Sequence, residues 1–102
     1  KLCSAGAMDR AFFGNSGAEA NEAAIKLARL YAHNKGNHNP VILTFTGSFH
    51  GRTLGTLSAT AGDAIKEGFA PIVEGFIHLP FNDLDAAKQC FASNSNIAGV
   101  LL

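Results

Sequence analysis

The sequence has no net charge, no long apolar run and very little cysteine, and each lack closes off a class of function. Eight basic residues balance eight acidic ones in a chain of 102 residues. That balance gives no electrostatic reason to expect nucleic acid or an anionic membrane as partner. Apolar stretches are only a few residues long, far short of the ~20 needed to cross a bilayer. Lys1 to Arg10 lack the apolar core of a signal peptide, so a cytoplasmic protein is expected. Cys3 and Cys90 are too few and too far apart for a disulfide framework or a zinc site, and read as reduced, structural thiols. Gly-x-Gly-x-x-Gly does not occur, so the dinucleotide fingerprint is unmet; Gly-Lys-Ser/Thr is missing too, which argues against a triphosphate-binding loop. There is no internal repeat and no low-complexity tract.

What remains is ordinary globular material, 47% hydrophobic and 16% charged. Arg10-Ala11-Phe12-Phe13 reads as a short strand running into a turn at Gly14-Asn15. Ser16-Gly17-Ala18-Glu19 is a capping box, the Ser hydroxyl accepting from the Glu19 amide and the carboxylate reaching back to the Ser16 amide. An alanine-rich helix comes next, with Ala20, Ala23, Ala24, Leu27, Ala28 and Tyr31 on one broad face. Glu22 and Lys26 pair on the other. Gly36 is the expected stop and Asn37 to Pro40 a linker.

Val41 to Phe45 reads as a buried strand, Thr46 to Gly51 as a loop, and Arg52 to Thr60 as a modest helix. Gly75 to Pro80 is a third strand, and a helix starts at Asn82-Asp83-Leu84-Asp85 with Asn82 as cap. Ile97 to Leu102 is a fourth strand. The order β-α-β-α-β-α-β predicts an α/β fold with right-handed crossovers and a mainly parallel sheet.

The turn at Ser16-Gly17-Ala18 has the makings of an anion site. Helix-start amides lack intrahelical acceptors, the helix dipole is positive there, and a glycine lets a phosphate approach the backbone. A capped helix start holding only water is the plainer alternative, and local physics leaves both open.

The longer strings carry a resemblance. Phe12-Phe13-Gly14-Asn15-Ser16-Gly17-Ala18-Glu19-Ala20-Asn21-Glu22-Ala23-Ala24 resembles the cofactor-phosphate segment of class III aminotransferases. Ser48-Phe49-His50-Gly51-Arg52-Thr53-Leu54 resembles the next segment of that family, at a fitting separation. Gly68-Phe69-Ala70-Pro71 and Leu79-Pro80-Phe81-Asn82-Asp83-Leu84 are similar to the acetylornithine branch. The resemblance covers about Arg10 to Leu102.

It implies part of the large cofactor-binding domain of a fold-type I enzyme, with pyridoxal 5'-phosphate as cofactor. It implies amides of Gly17 and Ala18 on the cofactor phosphate, Ser16 capping the helix, Phe49 against the pyridine ring and Arg52 on the substrate carboxylate. It implies amino-group exchange between N-acetylornithine, or a related ω-amino donor, and 2-oxoglutarate, within arginine or amino-acid biosynthesis, by a homodimer.

Read without the resemblance, Phe49 is a core residue, and Arg52 a surface residue or a partner of Glu19 or Glu22. His50 reads as a structural hydrogen-bonding residue, His33 and His38 as solvated, and His78 as a strand-edge histidine without further ligands at metal-binding spacing. No metal site is expected.

The family's chemistry also needs a lysine bonded to the cofactor and an aspartate at the pyridine nitrogen. Lys1, Lys26, Lys35, Lys66 and Lys88 do not match that lysine, and Asp83 and Asp85 fit a helix start, so no catalytic residue is assigned. Residues 1–102 read as one partial domain cut at both ends, inactive alone. The alternative is a non-catalytic phosphate-ligand-binding α/β module, and a third reading is a small structural domain with a dry cap.

Overall fold

A computed structural model describes all residues from Lys1 to Leu102. A short helix, α1 (Leu2–Ala5), leads to the long α2 (Gly17–Asn34). Next come strand β1 (Val41–Phe45), helix α3 (Leu54–Ala59), strand β2 (Phe76–Leu79), helix α4 (Leu84–Ser93) and strand β3 (Ile97–Val100), with a 3-10 turn at Ala64–Lys66. The three strands form one sheet in the order β2-β1-β3, parallel throughout. The expected α/β class and parallel sheet are therefore observed.

Two crossovers, right-handed by the rule for parallel strands, explain the layering. The chain passes from central β1 through α3 to one edge, then back through α4 to the other edge. Opposite directions of travel put α3 and α4 on opposite faces. Ile42 packs with Ile25 of α2 and Ala59 of α3, and Ala28, Phe76 and Leu101 close around them. Leu43, on the other face by alternation, is fully buried as well.

The strand expected at Arg10 to Phe13 does not form. That segment is irregular and pairs with no strand, and Phe12 and Phe13 are each 74% exposed, so no burial holds it extended. The sheet so has three strands instead of four. Helix α2 also turns a different face inward. Ile25 and Ala32 are its buried residues, with Asn21, Glu22 and Ala28 half-buried, whereas Leu27 and Tyr31 lie exposed. The expected face is rotated, not reversed: Ala28 packs on the core, but the packing line Asn21–Ile25–Ala28–Ala32, set by Ile25 meeting Ile42, leaves Leu27 and Tyr31 outside it.

Smaller boundaries shift for local reasons. Helix α3 starts at Leu54, two residues later than expected, with Thr53 capping it by accepting from the Thr56 amide. Asp83, not Asn82, caps α4 by accepting from the Ala86 amide, while Asn82 takes the left-handed turn before it (φ 61°). Asparagine tolerates that conformation, so the pair Asn-Asp divides turn and cap between them. Gly36 does end α2, at φ 88°.

Candidate functional site

Helix α2 and strand β1 are joined by a short linker, so α2 runs antiparallel to the strands. Its N-terminus therefore lies at the carboxyl end of the sheet, beside the loop that leaves β1. The missing first strand does not alter this, because the linker and β1 fix the direction of α2. Carboxyl ends of parallel strands are where α/β sheets bind ligands.

At that end Ser16 sits in extended conformation and its hydroxyl accepts from the Glu19 amide at 3.2 Å. The Glu19 carboxylate accepts from the Asn15 amide, one residue earlier than a standard capping box. With Ser16 Oγ taken, the amides of Gly17 and Ala18 are left without intrahelical acceptors. A Cβ placed on Gly17 would meet no atom within 4 Å. The first turn of α2 thus opens onto free space with two backbone donors on it.

The loop after β1 is clamped to this turn at three places. Asn21 Nδ2 donates to the His50 carbonyl at 2.9 Å. Gly51 has φ 138°, and a Cβ on it would come within 2.8 Å of Ala18 Cβ, so the two backbones meet through a glycine and an alanine. Glu22 accepts from the Thr53 hydroxyl and from the Thr56 amide, the latter at 3.2 Å. Glu22 is therefore no surface partner of Lys26; it reaches the N-terminus of α3, where negative charge is favourable. Gly55 leaves room for that carboxylate, since a Cβ there would collide with it.

Between these clamps the loop projects Phe49, 65% exposed, and Arg52, whose guanidinium carbon lies 5.6 Å from the centre of the Phe49 ring. Phe49 is therefore no core residue, and Arg52 pairs with neither Glu19 nor Glu22. Ser16, Gly17, Ala18, Phe49 and Arg52 all come to one end of the sheet. Asn21, Glu22 and Gly51 act as positioning residues that no local pattern singles out. For the first two, the partners lie 29 to 34 residues away in the chain.

His50 is buried (4% exposed), its amide donating to Thr60 Oγ1 at 2.9 Å. Its structural hydrogen bonds are made by the backbone. The ring nitrogen Nε2 is buried without a partner, and burial lowers the ring's pKa below the usual histidine value. His78, on edge strand β2, contacts Thr44 Oγ1 through Nδ1 and Lys66 Nζ through Nε2 at 3.2 Å. Its pKa is lowered too, by burial first and by the Lys66 charge second. A neutral ring accepting from Lys66 and donating to Thr44 satisfies all three groups. Cys3 and Cys90 are free thiols. No group of three or more His, Cys, Asp or Glu side chains is placed to hold a metal ion, and no helix is long and apolar enough to cross a membrane.

The chain is similar to known proteins in both sequence and fold. The Aminotransferase class-III family matches residues 1–100. The chain is 50% identical over 102 residues to an acetylornithine aminotransferase of Nitrosomonas europaea, covering all of this chain and 26% of that protein. It is 59% identical over 95 residues to the acetylornithine aminotransferase of Halalkalibacterium halodurans, covering 93% of this chain and 23% of that one. In fold it is similar to the ornithine aminotransferase of Toxoplasma gondii, with a TM-score of 0.89 at 24% identity over 97% of this chain and 24% of the other. The chain spans about a quarter of the length of these relatives.

Proposed function

The chain belongs to the class-III aminotransferase family, and from that premise we propose that it forms the phosphate-cradling part of a pyridoxal-phosphate-dependent transaminase. The observation that carries the reading is the open first turn of α2, with the Gly17 and Ala18 amides free and the Phe49–Arg52 loop clamped against it. Gly17 and Ala18 hold the cofactor phosphate, and Ser16 keeps the turn in shape by capping it. Phe49 covers the ring, and Arg52 receives the carboxylate of the substrate, its planar fork matching two oxygens. When bound, pyridoxal phosphate supplies an electron-poor ring that draws electrons from a substrate carbon. The residues of this chain bind and orient; none of them moves a proton.

The acetylornithine aminotransferase relatives support N-acetylornithine, or a related ω-amino donor, as the amino donor; 2-oxoglutarate is the acceptor that the family resemblance implies. The whole protein is then a cytoplasmic homodimer in arginine biosynthesis, and residues 1–102 are one partial domain of it. Low compactness supports the partial-domain reading: the radius of gyration is 14.5 Å, against about 13 Å for a compact domain of this length.

By itself the chain is inactive. A helix terminus contributes about 0.3–2 kcal/mol toward an anion, and an aromatic stack about 0.5–1.5 kcal/mol. Together these correspond to roughly millimolar affinity or weaker. Treating the chain with pyridoxal phosphate and then borohydride is expected to leave no stoichiometric adduct on Lys1, Lys26, Lys35, Lys66 or Lys88. A single fully modified lysine would overturn this. Equal affinity for inorganic phosphate and pyridoxal phosphate would favour a plain phosphate-binding module, because a cradle without ring contacts cannot tell the two apart.

A further inference from the structure

At the opposite end of the sheet the structure brings together two histidines that read from the sequence as solvated. His33 lies in the last turn of α2 and His38 in the linker to β1, with Gly36 reversing the chain between them (φ 88°). Their Nδ1 atoms are 3.3 Å apart, their ring centres 5.2 Å apart, and the rings are inclined at 71°. Nitrogens at ~2.0–2.1 Å from a tetrahedral metal ion stand about 3.4 Å apart, and rings sharing that ion have centres about 5.2 Å apart. Both separations agree. The same contact is long for a hydrogen bond between two ring nitrogens.

The surroundings hold the pair in place. Asn37 Nδ2 donates to the Asn96 carbonyl and Asn96 Nδ2 to the Asn39 carbonyl, each at 2.8 Å, so the linker bearing His38 is tied to the residue before β3. The C-terminus of α2 carries negative partial charge, which favours a cation. A polar cavity of about 250 Å³ adjoins the pair, and Glu74 lines it along with Arg29. Arg29 opposes a cation there, but its guanidinium is turned to the Glu74 carbonyl and lies 5.6 Å from the centre of the Phe76 ring.

We propose that His33 and His38 form a two-histidine chelate for a divalent transition-metal ion. Imidazole nitrogens suit copper, nickel and zinc, with copper bound most tightly. Two protein ligands leave the remaining positions to water, since no third His, Cys, Asp or Glu side chain is placed to join them. The ion would tie the end of α2 to the linker ahead of β1 and stabilise the folded chain by binding to it preferentially. The site is remote from the α2 N-terminus and does not depend on the transaminase reading.

The test is calorimetric titration of copper(II) and zinc(II) chlorides into the whole protein carrying this chain at pH 7.5, with electron paramagnetic resonance of the copper form. The expected result is one equivalent lost in both His33→Ala and His38→Ala, with at least tenfold weaker binding in each, and splitting from two nitrogens in the copper spectrum. His78→Ala should bind as the unaltered protein does. His38→Gln, in the linker, leaves α2 intact and should lose binding while retaining the circular dichroism of the parent. Binding unchanged in His33→Ala and His38→Gln, or no saturable binding by either metal, would overturn the proposal.

Discussion

Two glycines at the carboxyl end of the sheet do opposite jobs, and substitution separates them. Gly17 faces open space, so Gly17→Ala should leave stability unchanged or raise it by about 0.4–1 kcal/mol, because alanine narrows the unfolded ensemble. If this turn holds the phosphate as proposed, the added methyl group crowds it, and pyridoxal phosphate affinity in the whole protein should fall at least tenfold. Gly51 faces Ala18 at close range with φ 138°. Gly51→Ala should therefore cost about 1–3 kcal/mol of stability in urea unfolding. If both variants behaved alike, the division between an open cradle and a packed clamp would be wrong.

His50 adds a pH dependence at the same scale. Its folded pKa is lowered by burial, so the unfolded chain takes up the proton first as pH falls. The stability held by neutral His50 is complete above about 6.5, the ordinary histidine value, and is lost as pH falls through the lowered folded pKa. His78 shifts in the same direction. Melting temperature should drop between pH 7.5 and 5, and less steeply in His50→Gln than in the unaltered chain.

Among the elements, α3 depends most on a distant residue. It is six residues long and contains Gly55, a poor helix former, so it is too short to stand alone. Its buried hydroxyls are satisfied locally, Ser58 Oγ donating to the Leu54 carbonyl at 2.6 Å and Thr60 Oγ1 to the Thr56 carbonyl at 2.9 Å. Glu22 from α2 completes its N-terminus. Glu22→Ala should cost about 1–2 kcal/mol, read by chemical unfolding, and loosen the loop bearing Phe49 and Arg52. Glu22→Gln, which can still accept a hydrogen bond, should recover part of the loss. A full loss in Glu22→Gln would make the carboxylate's charge, not its hydrogen bonds, the essential feature.

At the scale of the whole molecule, much apolar surface is uncovered. Leu27, Leu30 and Tyr31 on α2 are 68%, 60% and 61% exposed, and Phe12 and Phe13, ahead of α2, are 74% exposed each. Large exposed apolar patches mark contact surfaces. The chain on its own should associate with itself, with light scattering rising steeply with concentration. Leu27→Lys with Leu30→Lys should suppress that association without lowering stability, since neither side chain is buried. Scattering independent of concentration in the unaltered chain would show that this surface is not sticky.

The sequence by itself determined the alternation of strands and helices, the capped start of α2 and the stop at Gly36, because hydrophobic period, caps and glycine turns act over a few neighbouring residues. It also held the two strings, around Gly17 and around Phe49, that carry the family likeness. Tertiary structure decided what those strings do to each other. Asn21, Glu22 and Gly51 gained their roles only when α2 lay along β1 and brought Ala18 against Gly51. The same packing overruled local pattern at Arg10 to Phe13, where a strand-like segment pairs with no strand and buries neither aromatic ring. It turned Ile25 toward the sheet, with Ala28 beside it and Leu27 and Tyr31 outside, because burying the larger isoleucine beside Ile42 removes more apolar area from water than burying an alanine. It also drew His33 and His38 into contact, since the reversal at Gly36 returns the linker alongside the helix end.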